Sequence, residues 1–271
     1  MMHEREALKT VVMVIGFKGE VGRPLYELLR GVEEYEVIGL DIEPKEYRGK
    51  VDIMHICYPC DDEQKFIQTT IQYMKKFNPK LTIINSTVPP GTTEKIHQLT
   101  KMPIVHSPVR GMIPHMKHDL LHFIKYIGGV DEESAKLAQE HFERIGIPTK
   151  ICKGPKETEL AKIINTTYYA LLIAWFQEIY RLCEELGVSY EDVVDFIKTT
   201  EGRPVLYPGY IGGHCLIPNI KLLLTKVDSD FLRLILESNE RWKEKYGTES
   251  PARGTLRKDS WKFQKKRVQE E

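Results

Sequence analysis

Short apolar runs alternate with longer stretches of helical periodicity through the first 152 residues. The runs predict strands at Val11–Ile15, Val37–Leu40, Ile53–Cys57, Leu81–Ile84, Ile104–Val105, Phe123–Ile127 and Thr149–Cys152. The stretches between them predict helices at Gly19–Leu29, Asp61–Phe77, Thr92–Leu99 and Glu132–Ile145. Strands alternating with helices form βαβ units around a mostly parallel sheet, and right-handed crossovers cover both of its faces. The pattern predicts an α/β fold with a Rossmann-like, doubly wound parallel sheet over residues 1–152.

The pattern changes after Gly154-Pro155, where a single helical segment runs to Gly187 without internal glycine or proline. Its apolar positions cover more than one narrow stripe, so we expect a neighbour outside its own domain to bury part of it. Further on, the sequence predicts an N-cap at Ser189, a helix at Tyr190–Lys198, a Gly/Pro-rich loop at Gly202–Cys215 and two short helices up to Tyr246. These features predict an α-helical domain over residues 153–246, followed by a polar basic tail at 247–271.

The overall composition excludes several classes of protein. The 271 residues carry 39 Lys plus Arg and 39 Asp plus Glu, and this neutral balance argues against a dedicated nucleic-acid binder. The sequence contains no run of about 18 apolar residues, and its polar beginning lacks a signal-peptide core, so neither a membrane span nor secretion is expected. Five cysteines, an odd number, argue against a disulfide framework and favour the cytoplasm.

A cluster of glycines separates the first predicted strand from the first helix. The segment reads Gly16-Phe17-Lys18-Gly19-Glu20-Val21-Gly22, one residue longer than the usual G-x-G-x-x-G dinucleotide loop. Asp41 ends the next strand about 20 residues on, where an acid binds the ribose hydroxyls of a dinucleotide. Because its charge would repel a 2′-phosphate, NAD is favoured over NADP. The alternative for Asp41 is a strand-end aspartate that caps a turn.

Cys215 closes a second glycine-rich segment, Pro208-Gly209-Tyr210-Ile211-Gly212-Gly213-His214-Cys215. A backbone this rich in glycine can fold tightly around a ligand. A thiol there, close to a helix start, could act as a nucleophile. On composition alone, a buried and inert cysteine is the alternative.

At this point the sequence resembles the UDP-glucose/GDP-mannose dehydrogenase family, which carries a similar P-G-x-G-x-G-G-H/S-C segment. The resemblance extends to four further segments: the opening loop from Val14-Ile15-Gly16 through Gly22, Ser86-Thr87-Val88-Pro89-Pro90-Gly91-Thr92-Thr93, Ser107-Pro108-Val109-Arg110 and Glu159-Leu160-Ala161-Lys162. It implies oxidation of a sugar C6 alcohol to an aldehyde, capture by the cysteine, a second oxidation to a thioester, and hydrolysis to a uronic acid. It also implies a homodimer built on the helix at residues 155–187.

The resemblance assigns roles residue by residue. Cys215 would be the nucleophile, Lys162 would stabilise the oxyanion and Thr87 would position water, while Thr166 and Asn219 occupy two further catalytic positions of the motif. The implied NAD site comprises Gly16, Phe17, Lys18, Gly19, Glu20, Val21, Gly22, Asp41, Tyr58, Pro59, Ser86 and Thr87. The implied sugar-nucleotide site comprises Arg110, Lys162, Asn165, Tyr207, Gly212 and Gly213.

The sequence departs from the family at four points. Val109 replaces a glutamate, Thr166 replaces an asparagine although Asn165 stands beside it, and Asn219 replaces an aspartate. The chain also stops where the family begins a third domain that grips the nucleotide. Because valine and asparagine cannot accept a proton at neutral pH, we expect hydride transfer to survive while thioester hydrolysis is impaired or differently catalysed.

Two other functions remain open: a two-electron, hydroxyacid-type dehydrogenase that needs no cysteine, and a non-catalytic NAD-binding regulatory protein. The C-x-x-C at Cys57 and Cys60 is interpreted as structural. No metal site is expected from His115, His118 and His122, since no fourth ligand accompanies them. Trp175 and Phe176 are expected in a dimer core, and Trp261 and Phe263 interleave with the charges of a solvated tail.

Overall fold

The computed structural model describes residues 9–41, 47–111 and 115–248. Its contacts divide the chain into two compact units, Met1–Lys162 and Ile163–Glu271. The division falls inside a helix that the sequence assigns wholly to the second domain. The expectations for the polar beginning of the chain and for the basic tail concern residues outside the described ones, apart from Gly247 and Thr248 at the start of the tail.

The first unit is built on a seven-stranded sheet. Its strands are β1 (Thr10–Ile15), β2 (Tyr35–Leu40), β3 (Ile53–Ile56), β4 (Leu81–Ile84), β5 (Ile104–His106), β6 (Lys125–Gly129) and β7 (Thr149–Ile151). Their order is β2-β1-β3-β4-β5-β6-β7, and every neighbouring pair is parallel except β5 and β6. The helices are α1 (Gly22–Leu29), α2 (Glu63–Phe77), α3 (Thr92–Thr100), α4 (Met116–His122) and α5 (Glu132–Arg144).

Each face of the sheet has its own hydrophobic core. Leu25 of α1 and Phe142 of α5 pack with Val12 and Val14 of β1 on one face. Met74 of α2 and Ile96 of α3 pack in the other core. Strands buried on both faces read as continuous apolar runs, which is why short runs located them in the sequence. The predicted doubly wound, Rossmann-like fold is confirmed.

Some predicted boundaries are wrong. Helix α1 begins at Gly22 and not at Gly19, because Gly19 N–H first closes a turn onto the Gly16 carbonyl at 3.1 Å. Strand β6 begins at Lys125 rather than at Phe123, since Phe123 still closes α4 through a bond to the Asp119 carbonyl. The last helix is long: 17 residues, where a short one was expected.

The second unit is helical in its described part. It contains the greater part of α6 (Pro155–Leu186), then α7 (Tyr190–Lys198), α8 (Leu216–Leu224) and α9 (Asp230–Tyr246). Ser189 caps α7 as predicted, accepting a bond from Asp192 N–H at 3.2 Å. One core joins α6, α8 and α9 through residues such as Ala170, Ile220 and Ile235. The predicted loop from Gly202 to Cys215 contains neither helix nor strand.

Candidate active site

The glycine loop requires its glycines at two positions. Gly16 has a φ of +83°, and a Cβ there would lie 3.1 Å from the backbone at Cys57 and Tyr58. A Cβ on Gly22 would lie 2.1 Å from the Gly16 carbonyl oxygen. The loop therefore lies tightly between the end of β1 and the start of α1, with no side-chain cap on the helix. This is the arrangement that leaves backbone N–H groups for a pyrophosphate.

Asp41 lies directly against this loop. Its Oδ2 accepts a hydrogen bond from the Lys18 backbone N–H at 2.9 Å. Phe17 lies against β2, where a Cβ on Gly39 would come within 2.5 Å of its ring. Glu20 and Val21 complete the turn before α1. The structure thus brings together the glycine loop and the acid that the sequence assigns to one dinucleotide site.

The carboxyl ends of β3 and β4 carry the other proposed cofactor residues. Ser86 donates from Oγ to the Tyr58 carbonyl at 2.5 Å. The Tyr58 hydroxyl pairs with Thr70 Oγ1 at 2.6 Å, and burial raises its pKa. Thr87 is half-buried and Pro59 is exposed. In a parallel sheet this edge is where ligands bind.

Lys162 reaches the proposed substrate segment through the backbone. Its Nζ donates to the Val109 carbonyl at 2.8 Å. The Val109 side chain belongs to the hydrophobic core of the sheet and is 3% exposed. The position that holds a glutamate in the resembled motif therefore points its side chain into the core, and a carbonyl oxygen meets the lysine.

Two buried side chains fix the start of α6 to the sheet, and neither was singled out as a site residue from the sequence. His106 pairs through Nδ1 with Thr158 Oγ1 at 2.8 Å and through Nε2 with the Ser86 carbonyl at 3.1 Å. Burial lowers the pKa of His106 to about 3, so it is neutral. This bridge connects the first turn of α6 to the residue preceding Thr87. Its only sequence signal was a histidine ending an apolar strand.

Glu159 makes the second connection. Its carboxylate accepts from Gly91 N–H at 2.6 Å, Thr93 N–H at 2.9 Å and Thr93 Oγ1 at 2.6 Å. It thereby caps α3, which has no cap of its own. Burial raises the pKa of this carboxyl to about 7, partly offset by the three donors. Glu159 was noticed only as part of a motif, although it precedes Lys162 by one helical turn.

A buried lysine, Lys125, contacts the backbone of the segment Ser107–Arg110. Lys125 is 3% exposed, and its Nζ donates to the Ser107 carbonyl at 2.9 Å. Burial lowers its pKa to about 7. Nearby, His55 and His141 share a bond of 2.8 Å, and His55 also pairs with Asn85 Nδ2 at 3.1 Å. These groups form a polar network inside the unit, and desolvation lowers the pKa of both histidines.

Arg110 lies at the surface with its guanidinium over aromatic rings. Its Cζ is 5.2 Å from the Phe123 ring centroid and 5.9 Å from that of Tyr126. Stacking of this kind holds the planar guanidinium in one orientation while its N–H groups face solvent. That arrangement suits an anionic ligand.

The second unit carries the cysteine. Cys215 is exposed and is the N-cap residue of α8, directly after Gly213, whose φ is +82°, and His214. One turn into α8, Asn219 donates from Nδ2 to Thr166 Oγ1 at 3.0 Å. Asn165, the neighbour considered as a stand-in for Thr166, is exposed, while Tyr207 is half-buried and Gly212 is exposed. The two altered catalytic positions are thus hydrogen-bonded to one another.

The remaining cysteines and histidines give no second site. All five cysteines are free thiols, and burial raises the pKa of Cys57 to about 12. His118 and His122 stack 3.7 Å apart. Among the described residues, no group of three or more His, Cys, Asp or Glu side chains is arranged to hold a metal ion. No helix in the described ranges is long and apolar enough to cross a membrane.

The comparison with solved structures concerns the fold first, which is of the Rossmann type. The UDP-D-ManNAc dehydrogenase from Pyrococcus horikoshii matches with a TM-score of 0.77 at 23% identity, covering 87% of this chain and 69% of that one. The 3-hydroxyisobutyrate dehydrogenase from Mycobacterium tuberculosis matches with a TM-score of 0.67 at 18% identity, covering 89% and 96%. At these identities the likeness concerns the fold.

The sequence comparison points to one family. Residues 156–241 match the model of the UDP-glucose/GDP-mannose dehydrogenase family, central domain. A UDP-N-acetyl-D-mannosamine dehydrogenase from Methanocaldococcus jannaschii is 27% identical over 262 residues, covering 79% of this chain and 61% of the relative. Another, from Methanococcus vannielii, is 27% identical over 291 residues, covering 88% and 67%. The chain therefore spans less than two thirds of the length of the first relative.

Proposed function

We propose that this protein is an NAD-dependent oxidoreductase that oxidises a CH–OH group of a sugar nucleotide. The observation that carries the proposal is the Lys162 bond to the Val109 carbonyl, which holds an ammonium group beside the segment carrying Arg110. A fixed cation in a partly buried position stabilises the oxyanion that develops as an alcohol is oxidised. The dehydrogenase names of the relatives support this class of reaction.

The residues around the glycine loop fit a dinucleotide. A side chain at Gly16 or Gly22 would occupy space that the backbone needs, and Asp41 lies beside the loop, where its carboxylate would accept hydrogen bonds from ribose hydroxyls. The acid favours NAD over its 2′-phosphorylated form. When bound, the nicotinamide supplies the hydride acceptor. Ser86 and Thr87, at the carboxyl end of β4, are assigned to the same ligand.

Cys215 is proposed as the nucleophile that adds through Sγ to the aldehyde carbon after the first oxidation. Its exposure and its place at the start of α8 support this role. The addition gives a thiohemiacetal, which would lose a hydride to a second NAD and become a thioester. Hydrolysis of that thioester would need a group that accepts a proton from water. Neither Val109 nor Asn219 is such a group, so we propose that hydride transfer survives while hydrolysis of the thioester is slow or is catalysed by another group.

A homodimer is part of the proposal. Along α6, the side chains of Ile164, Tyr168, Trp175, Leu182 and Leu186 recur at intervals of four and seven residues and are 43–72% exposed. This spacing places them on one face of the helix. An apolar stripe of this length on a single protomer favours burial against a second copy, in the isologous manner of most dimers.

A two-electron dehydrogenase is the second candidate, favoured by the same absence of carboxylates at positions 109 and 219. It would use Lys162 and not Cys215. A regulatory protein that binds NAD without turnover is the third. We therefore expect Cys215→Ser to abolish acid formation under the main proposal, and to leave the rate unchanged under the second.

The test is a panel of UDP-N-acetyl-D-mannosamine, UDP-glucose, GDP-mannose and a 3-hydroxy acid, each with NAD. NADH absorbance reports hydride transfer, and mass spectrometry of the intact chain reports an adduct on Cys215. We expect NADH with at least one sugar nucleotide, and an adduct that disappears in Cys215→Ser. NADH formation with the hydroxy acid alone would favour the second candidate. NAD binding without NADH across the panel would overturn the enzyme proposal.

A further inference from the structure

We infer that Asn239 and Gln177 are positioning residues that hold the cysteine loop through its backbone. The inference rests on the proposed role of Cys215 and concerns only the helical unit. Neither residue belongs to the motifs that identify the loop. Both are buried amides: Gln177 lies on α6 and is 0% exposed, and Asn239 lies on α9 and is 1% exposed.

Asn239 binds both polar backbone groups of one loop residue. Its Oδ1 accepts from Ile211 N–H at 2.7 Å, and its Nδ2 donates to the Ile211 carbonyl at 3.2 Å. An asparagine amide thus pairs with Ile211 as a neighbouring strand would. A side-chain amide carries this donor and this acceptor on two neighbouring atoms, whereas a hydroxyl carries both on one atom.

Gln177 binds the loop two residues earlier. Its Nε2 donates to the Gly209 carbonyl at 2.8 Å, and its Oε1 accepts from Ser238 Oγ at 2.9 Å. Arg181 donates from Nη2 to the same Ser238 hydroxyl at 3.0 Å. Because the hydroxyl proton of Ser238 goes to Oε1, the glutamine amide has a single orientation, with its donor towards the loop.

The position of these bonds matters because the loop itself forms neither helix nor strand. Ile211 is 3% exposed and packs in the core shared by α6, α8 and α9. Between it and Cys215 lie Gly212, Gly213 and His214, two of which are glycines with wide conformational freedom. The backbone of Cys215 leads into α8 on one side and, through these three residues, to Ile211 on the other. Removal of the amide bonds frees the Ile211 side of this connection.

The test uses the full chain and begins with a measurement that needs no turnover. The alkylation rate of Cys215 by iodoacetamide is followed by peptide mass spectrometry across a pH series, in wild type, Asn239→Leu and a free peptide of residues 205–219. We expect the wild-type rate profile to differ from that of the peptide. The profile of Asn239→Leu should move towards the peptide, whereas exposed Glu240→Gln on the same helix should match wild type.

A merely structural role predicts a different result. If Asn239→Leu lowers the melting temperature but keeps the wild-type alkylation profile, the positioning role is overturned; it is equally overturned if wild type and peptide react alike. If Asn239→Leu does not fold, Gln177→Glu serves instead, since it keeps the acceptor for Ser238 and removes the donor to Gly209. These outcomes do not depend on whether the protein turns over a sugar nucleotide.

A kinetic comparison then separates positioning from binding. Misplacing a reacting group by about 1 Å costs about 100-fold in rate. We expect Asn239→Leu to lower the single-turnover rate of adduct formation on Cys215 by about that factor while the Kd for NAD stays at the wild-type value. An equal loss in both, or an unchanged rate of adduct formation, would contradict the inference.

Discussion

Asn219 donates a hydrogen bond to Thr166, with 3.0 Å between Nδ2 and Oγ1. The threonine hydroxyl already gives its own proton to the Ile163 carbonyl at 2.8 Å, so it can only accept from residue 219. An aspartate at 219 would bring a second acceptor to that hydroxyl. The two departures from the resembled motif are therefore in direct contact, and a change at one of them alters the partner of the other.

This pairing predicts a non-additive response to reversion. Asn219→Asp alone loses the bond to Thr166, whereas the double variant Asn219→Asp with Thr166→Asn provides an amide donor for the new carboxylate. If acid release follows the proposed cysteine route, we expect the double variant to release acid at least about tenfold faster than either single variant, since a positioned base contributes that much or more. Product analysis and the lifetime of the Cys215 adduct measure this. Equal rates in the three variants would contradict the coupling.

Glu159 predicts a specific dependence of stability on pH. Burial raises its pKa from the ordinary 4.5 to about 7, so between these values the folded state binds more protons than the unfolded state. Its contribution to the free energy of unfolding is therefore fully present below about pH 4.5 and is lost as the pH rises through about 7. The Glu159→Gln variant should lack this trend.

Urea unfolding of wild type and Glu159→Gln across that interval measures the difference directly. The glutamine must turn its NH2 towards one of the donors at Gly91 and Thr93, so we also expect a loss of about 1–3 kcal/mol at the acidic end. Glu157→Gln, an exposed neighbour on the same turn, is the matched control and should follow wild type. A parallel pH trend in Glu159→Gln would refute the assignment.

Gly22 and Gly19 of the glycine loop predict losses of different size when each is replaced by alanine. Gly22→Ala places a Cβ 2.1 Å from the Gly16 carbonyl oxygen, and only backbone movement relieves that contact. We expect about 3 kcal/mol of destabilisation and weaker NAD binding. In Gly19→Ala the new Cβ would lie 3.3 Å from its nearest neighbour, the Gly16 carbonyl oxygen. The free energy of unfolding should therefore change by less than about 1 kcal/mol. Thermal melts and calorimetric NAD titration would show whether the two variants separate.

The apolar stripe on α6 predicts the oligomeric state. Trp175→Glu places a charge at the centre of the stripe, where 53% of the indole is exposed in one protomer. We expect light scattering to give a dimer for wild type and a monomer for the variant. Lys221→Gln makes the same change in net charge at an exposed position on α8 and should remain dimeric. A monomeric wild type, or a dimeric Trp175→Glu, would exclude this interface.

Local signals in the sequence were enough to predict the sheet and the two ends of α6, the longest helix of the described residues. Apolar runs identified strands buried on both faces, and Pro155 and Gly187 bracketed α6 within a residue. The spacing from the glycine loop to Asp41 also predicted that they meet, because the carboxyl ends of β1 and β2 lie side by side in a parallel pair. These relationships depend on residues close in sequence or on one rule of chain topology.

Other relationships depend on contacts that no local pattern encodes. Lys125 resembles a solvent-facing lysine in a strand, and only the packing of α5 reveals that it is buried. Asn219 and Thr166 are 53 residues apart, and Asn239 and Ile211 are 28 apart, so neither bond has a signature in the sequence. The motif comparison considered only the side chain at Val109, where a valine replaces a glutamate, whereas in the structure Lys162 donates to that residue's carbonyl.

The contact between Lys162 and the Val109 carbonyl affects which substitutions position 109 can accept. Every residue type, proline included, has a backbone carbonyl at position 109 that could accept from Lys162. Mutation can therefore exchange the side chain there for whatever the core tolerates without touching the lysine's partner. A chain can therefore lose the acidic side chain of a sequence motif and keep the backbone contact that orients the lysine. A comparison of side chains alone would miss that contact.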